Sequence, residues 1–205
     1  MKSTNLKLRD FKVAILVCEG FEEIELVKPR KALEEAHATV HVISPVKNKV
    51  KCWDRTSWGK SYKVDVDLAK ANPNDYDALM LPGGVLNPDK LRTFKKAIQF
   101  IDHFFKKHKP ITAICHGAVT IIETGRLENR TITSYAAIKT DLINAGANWV
   151  NRKVVIDHNL LTSRQPDDLP AFNKAMIKMF INANNIKHHN ISSKLLDIMQ
   201  KPFIK

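Results

Sequence analysis

What most constrains this chain is an alternation of two kinds of segment. Short apolar runs, "VAILVC" (13–18), "TVHVIS" (39–44), "DALMLPGG" (77–84) and "PITAIC" (110–115), have strand length and end at turn residues. Between and after them lie stretches with apolar residues on one side of a helical period, at 22–36, 88–108, 117–125, 134–146 and 167–184. Parallel strands need crossover connections, and a helix is the usual one. The pattern therefore predicts an α/β fold, a mainly parallel sheet covered on both faces. "KVVIDHNLLTS" (153–163) departs from the rhythm and reads as a hairpin turning at His158-Asn159, and residues 46–66 read as an irregular β-rich excursion. Pro29, inside the first helical stretch, predicts a kink or an offset start.

With 205 residues the chain can bury a full core as one medium domain. Residues 1–10 read as an N-terminal extension, 11–184 as a single α/β domain and 185–205 as a tail, in which "SSKLLDIMQ" has the pattern of a short docking helix. The three cysteines, at 18, 52 and 115, form no CxxC pair, which excludes a disulfide scaffold and a four-ligand zinc site; no metal or cofactor is expected. No run approaches the roughly 18 apolar residues of a membrane span. "MKSTNLKLRDFK" lacks the apolar region of a secretory signal, so the expected location is cytoplasmic, away from membranes. The formal charge of +12 is spread over scattered lysines without a zinc-finger or RNA-binding pattern. It predicts a solvated cationic surface with weak attraction to polyanions.

Ligand sites of open α/β sheets gather at the carboxyl ends of strands. Four unusual stretches fall there: "CEGFEEIE", "LPGGVLNPD", "AICHGA" and "SRQPDDLP". Cys115 ends a strand just before a helical stretch, with Ala113 and Gly117 two residues to either side, the small-residue spacing of a nucleophile elbow. Amides and the dipole at the start of a helix are expected to favour its thiolate. His116 is a candidate acid or base beside it. Gly83 and Gly84 let bare backbone approach a substrate, and their N–H groups, with that of His116, are candidate oxyanion donors. Glu22 and Glu25, three apart, share a helix face, and one turned beneath the elbow would tune the thiol; Glu23 is read as an exposed partner of the helix dipole. Each feature also has a plain reading: a core cysteine, a strand-exit turn, helix-capping carboxylates.

In this order "FEEIELVKPRKALEEA", "DYDALMLPGG", "PITAICHGA", "SYAAIKTDLINAGANWV" and "LLTSRQPDDLPAF" resemble the ThiJ/PfpI superfamily, with the PfpI (intracellular protease I) branch as the nearest pattern. The resemblance implies a flavodoxin-like three-layer α/β sandwich assembling as a homodimer or homohexamer. It implies Cys115 as nucleophile with His116 beside it, Glu25 against the thiol with Glu22 as second candidate, oxyanion donors at Gly84 and His116, and Tyr135 bordering the pocket. The protease-type triad borrows a carboxylate from a neighbouring subunit, and here that position is Asp89, one methylene shorter than the family's glutamate. Ala118 stands where proline is common.

Three activities follow from the resemblance. The first is cofactor-free glyoxalase or deglycase chemistry on a small aldehyde or glycated substrate, in a stress response. The second is peptide hydrolysis, which relies on Asp89. The third is non-catalytic redox sensing or chaperoning through Cys115 oxidation; Cys18, at the end of the first strand, is read first as core packing and second as a thiol that could resolve a sulfenate. A glutamine amidotransferase needs a histidine followed two residues later by glutamate, and after His158 come Asn159 and Leu160. A transcription regulator needs an added helix-turn-helix module for which the length leaves no room.

Overall fold

The computed structural model describes residues 7–199, and side chains as far as residue 189. Strand β1 (Lys12–Leu16) leads through the short β2 (Phe21–Glu22) into helix α1 (Glu23–Glu35) and strand β3 (Thr39–Ser44). A hairpin, β4 (Lys49–Asp54) and β5 (Ser57–Lys63), precedes β6 (Val66–Asp67), β7 (Ala78–Leu81), α2 (Leu86–Leu91), α3 (Lys95–Lys106) and β8 (Ile111–Ile114). After the elbow come α4 (Val119–Ile122), β9 (Thr131–Ile132), α5 (Lys139–Asn144), β10 (Asn148–Trp149), β11 (Val154–Asp157), β12 (Leu160–Ser163) and α6 (Leu169–Met199).

The central sheet runs β11-β12-β8-β7-β1-β3-β6, parallel throughout except for the antiparallel β11–β12 pair at one edge. Strand residues alternate between two apolar layers, as period-2 geometry requires. Val13, Ile15 and Val17 pack with Leu26 and Leu33 of α1 and with Phe172, Met176 and Phe180 of α6. Ala14, Leu16 and Cys18 pack with Phe100, Ile101 and Phe104 of α3 and Leu142 of α5. The molecule is thus a three-layer α/β sandwich of the flavodoxin-like kind. From β1 the chain moves outward to β3 and β6, then returns to β7 on the other side of β1. That reversal opens a crevice at the carboxyl ends of β1 and β7, the usual place for a site in such a sheet.

Several elements differ from the sequence reading. The stretch at 88–108 is two helices: the Thr93 hydroxyl donates back to the Lys90 carbonyl, 2.8 Å, at the end of α2, and Phe94 is extended before α3 starts. Apolar periodicity runs through that break, so the pattern hid it. The stretch at 117–125 contains only a 3₁₀ turn, Cys115–Ala118, and the four residues of α4. α6 continues past Asn184 to Met199, a stretch with no glycine or proline to stop it; residues 200–205, with the end of "SSKLLDIMQ", lie outside the described part. Pro29 sits buried within α1, where its ring has no N–H to offer the carbonyl of Glu25. Residues 46–66 form an ordered antiparallel hairpin, whose β4 pairs in parallel with β2. Among the described residues no helix is long and apolar enough to cross a membrane.

Candidate active site

The site is built around the bend after β8. Cys115 has φ of 60°, a left-handed backbone that a non-glycine residue adopts only where its surroundings impose it. Gly117 shows what imposes it. A Cβ there would come within 2.4 Å of the Leu81 carbonyl and 2.9 Å of the Pro82 carbonyl, so β7 and the elbow can approach only with a bare backbone. The Cys115 carbonyl accepts from the Tyr135 amide, 3.3 Å, which anchors the bend from the far side. Its side chain is 7% exposed.

Three polar partners converge on the thiol. Glu25 of α1 is fully buried; its Oε2 accepts the Gly83 N–H at 2.8 Å and also meets the Cys115 side chain, while Oε1 has no hydrogen-bond partner. The His116 Nδ1 lies 3.3 Å from Sγ, and its ring stacks on Tyr135 with centroids 4.8 Å apart and planes 28° from parallel. Backbone N–H groups of His116 and Gly84 point at the sulfur. Gly83 is squeezed in the middle: a Cβ there would lie 2.6 Å from Glu25 Oε2 and 2.8 Å from Cys115 Cβ.

The electrostatics differ from expectation. Burial pushes the Cys115 thiol up, and the neighbouring Glu25 carboxylate pushes it further, against the two amides that favour the thiolate. The expected lowering by a helix dipole fails because the helix beyond the elbow is short, and few aligned peptides sum to a weak dipole. Burial also raises Glu25, to about 7, offset in part by the Gly83 amide and the thiol donating to it. The first proton lost near neutrality is therefore that of Glu25, beside a thiol that still holds its own. Burial lowers His116 below the usual imidazole range, leaving it neutral at pH 7 and able to accept a proton.

The sulfur opens into a cleft of about 710 Å³ lined by Gly20, Glu22, Trp53, Arg55, Gly84, Val85, Leu86, Tyr135, Ala137 and Pro166, besides Glu25, Cys115 and His116. All four strand-end stretches contribute to it. Gly83 does not donate to it, since its amide is held by Glu25. Glu22 lies at the rim, half-buried, its Oε1 accepting from the Arg55 amide at 3.4 Å, and burial raises its carboxyl. Asp89 is exposed on α2 and does not line the cleft, because the register of α2 turns Asn87 and Pro88 inward instead. Glu23 is not a bare dipole partner: it accepts a hydrogen bond from the Tyr62 hydroxyl of the hairpin. Cys18 packs on the opposite face of the sheet from Cys115, and all three cysteines are free thiols. Among the described residues no group of three or more His, Cys, Asp or Glu could hold a metal ion.

Two kinds of residue escaped the sequence reading. Asn87, fully buried, donates to the carbonyls of Pro82, 2.9 Å, and Gly83, 3.0 Å, and accepts from the Cys18 amide, 2.6 Å, so it holds the Gly-Gly turn against the end of β1. An asparagine three residues after Gly-Gly was the available signal. Trp53 and Arg55 reach the cleft from the hairpin, and no local pattern in residues 46–66 announces that.

The same fold occurs in known proteins. A model of the DJ-1/PfpI family matches residues 11–179. A Bacillus subtilis protein named "Putative cysteine protease YraA" is 41% identical over 168 residues, covering 82% of this chain and 97% of that protein. The Staphylococcus aureus "Uncharacterized protein SAV1875" is 43% identical over 169 residues, covering 82% and 96%. Among solved structures, a two-domain protein from Anabaena variabilis containing DJ-1/ThiJ/PfpI-like and ferritin-like domains superposes with a TM-score of 0.77 at 33% identity; the match covers 82% of this chain and 47%, about half, of that one. Schizosaccharomyces pombe DJ-1 has the same fold, with a TM-score of 0.73 at 24% identity, over 85% of this chain and 97% of its own. Family model, identity and fold agree: this chain belongs to the DJ-1/PfpI family.

Proposed function

We propose that this protein is a cysteine-dependent enzyme acting on small reactive carbonyls, converting 2-oxoaldehydes to 2-hydroxy acids and serving a stress response. The observation that carries the reading is the contact of one thiol with a carboxyl poised near neutrality and a neutral imidazole, at the floor of an open cleft. Sγ adds to the aldehyde carbon C1, and its proton passes by way of Glu25 to the carbonyl oxygen, giving a hemithioacetal. The His116 imidazole, or Glu25 once ionised, takes the proton from C1 as the C2 carbonyl oxygen gains one, giving an enediol. That proton then goes to C2 while the C1 hydroxyl gives up its own, so C1 becomes a carbonyl and C2 carries the hydroxyl. The product is a thioester of the hydroxy acid. Water then adds to the thioester carbonyl, the C–S bond breaks, and the thiol regains its proton. The amides of His116 and Gly84, which face the sulfur, are placed to stabilise charge on the attacked oxygen.

Lactate formation from methylglyoxal tests this, with chelator present and no added thiol. Wild type is expected to turn over and Cys115→Ala to fall to background. Turnover by neither protein removes the proposal, and equal turnover by both removes the role of Cys115.

A second reading is a PfpI-type peptidase, favoured by the name of the Bacillus relative. It requires a neighbouring subunit to bring Asp89 to His116, since Asp89 lies outside the cleft of its own chain. Loss of casein cleavage in Asp89→Asn, with methylglyoxal turnover absent, would select it. Peroxide-dependent oxygen addition at Cys115 with no turnover of either substrate would select a redox sensor instead.

A further inference from the structure

The cleft is much larger than the smallest substrate of such chemistry. Methylglyoxal has five non-hydrogen atoms; at roughly 30 Å³ each they fill about a fifth of the 710 Å³ available. What surrounds the rest is chiefly apolar: Trp53, Val85, Leu86, Tyr135, Ala137 and Pro166. Val85 and Leu86 are exposed for residues of their kind, 64% and 38%, so that wall is open for contact. The two charged groups at the rim, Glu22 and Arg55, are of opposite sign, and the Arg55 backbone amide donates to the Glu22 carboxyl.

Trp53 is held in place. Its Nε1 donates to the Arg55 carbonyl at 2.9 Å, and its ring meets Trp58 edge-on with centroids 5.6 Å apart. Its backbone pairs with Glu22 through the β2–β4 ladder, which ties the hairpin to the floor of the site. A fixed indole in the same cleft as exposed aliphatic side chains is a surface for a flat or extended apolar group.

We infer that the substrate carries a bulky apolar substituent on the 2-oxoacyl group, aromatic or long-chain, and that Trp53 with Leu86 selects it. This rests on the 2-oxoaldehyde reading for its chemistry but on the shape of the cleft for its selectivity. A larger apolar group buried against such walls gains one to two powers of ten in kcat/KM. The amide and thiol cluster places the aldehyde carbon at Sγ, and the substituent extends outward along the hairpin.

The test compares kcat/KM for phenylglyoxal and methylglyoxal. Wild type should prefer phenylglyoxal by at least about tenfold. Trp53→Ala and Leu86→Ala should each lower that ratio several-fold, and Trp53→Phe should restore most of it. A ratio near one in wild type, or a ratio untouched by either alanine, overturns the inference. If neither aldehyde turns over, the enzymatic reading fails by itself, and protection of Cys115 from iodoacetamide decides the remaining question. Stronger protection by mandelate than by lactate, lost in Trp53→Ala, supports the apolar subsite; equal or absent protection overturns it.

Discussion

At the residue scale the site depends on how closely Glu25, Gly83 and Cys115 are packed. Adding a methyl at Gly83 requires movement of the Glu25 carboxylate or of the elbow, since it would lie 2.6 Å from Glu25 Oε2, 2.8 Å from Cys115 Cβ and 2.9 Å from the His116 nitrogen. Gly83→Ala is therefore expected to retain the fold while lowering turnover of the preferred aldehyde at least about tenfold, since misplacement by about an ångström has such an effect. Circular dichroism and kcat/KM on one preparation check both halves. The thiol was legible as an elbow nucleophile from Ala113, Cys115 and Gly117. Its acidity was not, because that depends on burial and on a carboxylate ninety residues away in sequence. Glu25 and Glu22 could not be separated by spacing either. Only the direction in which α1 leaves β2 puts Glu25 inside and Glu22 at the rim.

At the element scale, the short α2 works as a clamp. Through Asn87 it joins the end of β1 to the Gly-Gly turn after β7. Asn87→Ala removes those hydrogen bonds and leaves buried backbone groups without partners, a loss of about 2–4 kcal/mol. Urea unfolding should show the lower midpoint, and activity should fall further than stability because the Gly84 amide loses its anchor. Gln at this position, one methylene longer, should not restore it. Strands β1, β3, β7 and β8 and the β11–β12 hairpin followed from composition and period alone. The break between α2 and α3 did not, because it depends on a hydroxyl bonding back to a carbonyl. The place of the β4–β5 hairpin did not either, since long-range pairing of β4 with β2 decides it.

At the scale of the whole molecule, the parallel sheet with its reversal between β1 and β7 is what the alternating segments required, and it brings distant loops to one crevice. The buried Glu25 also leaves a mark on global stability. In the folded state its carboxyl is raised from 4.5 to about 7. Below about pH 4.5 it is protonated whether folded or not, and its contribution is fully present. Between about pH 4.5 and 7 the unfolded chain has shed this proton while the folded chain keeps it, so stability falls with rising pH, by about 3 kcal/mol in all, and levels off once pH has passed through 7. Glu25→Gln keeps an acceptor for the Gly83 amide and removes the titration. The difference in unfolding free energy between variant and wild type should grow between pH 5 and pH 8 in favour of the variant.

The central claim is that Glu25, ionising near neutrality in contact with Cys115, takes up the thiol proton and makes the sulfur reactive. It is tested most directly by the rate of iodoacetamide alkylation at Cys115 against pH, followed by peptide mass in wild type and Glu25→Gln. Wild type should show an inflection near pH 7 at Cys115 that Cys18 and Cys52 lack, and the glutamine variant should lose it. A Cys115 profile that is the same in both proteins, rising only where an isolated thiol ionises, would contradict the account.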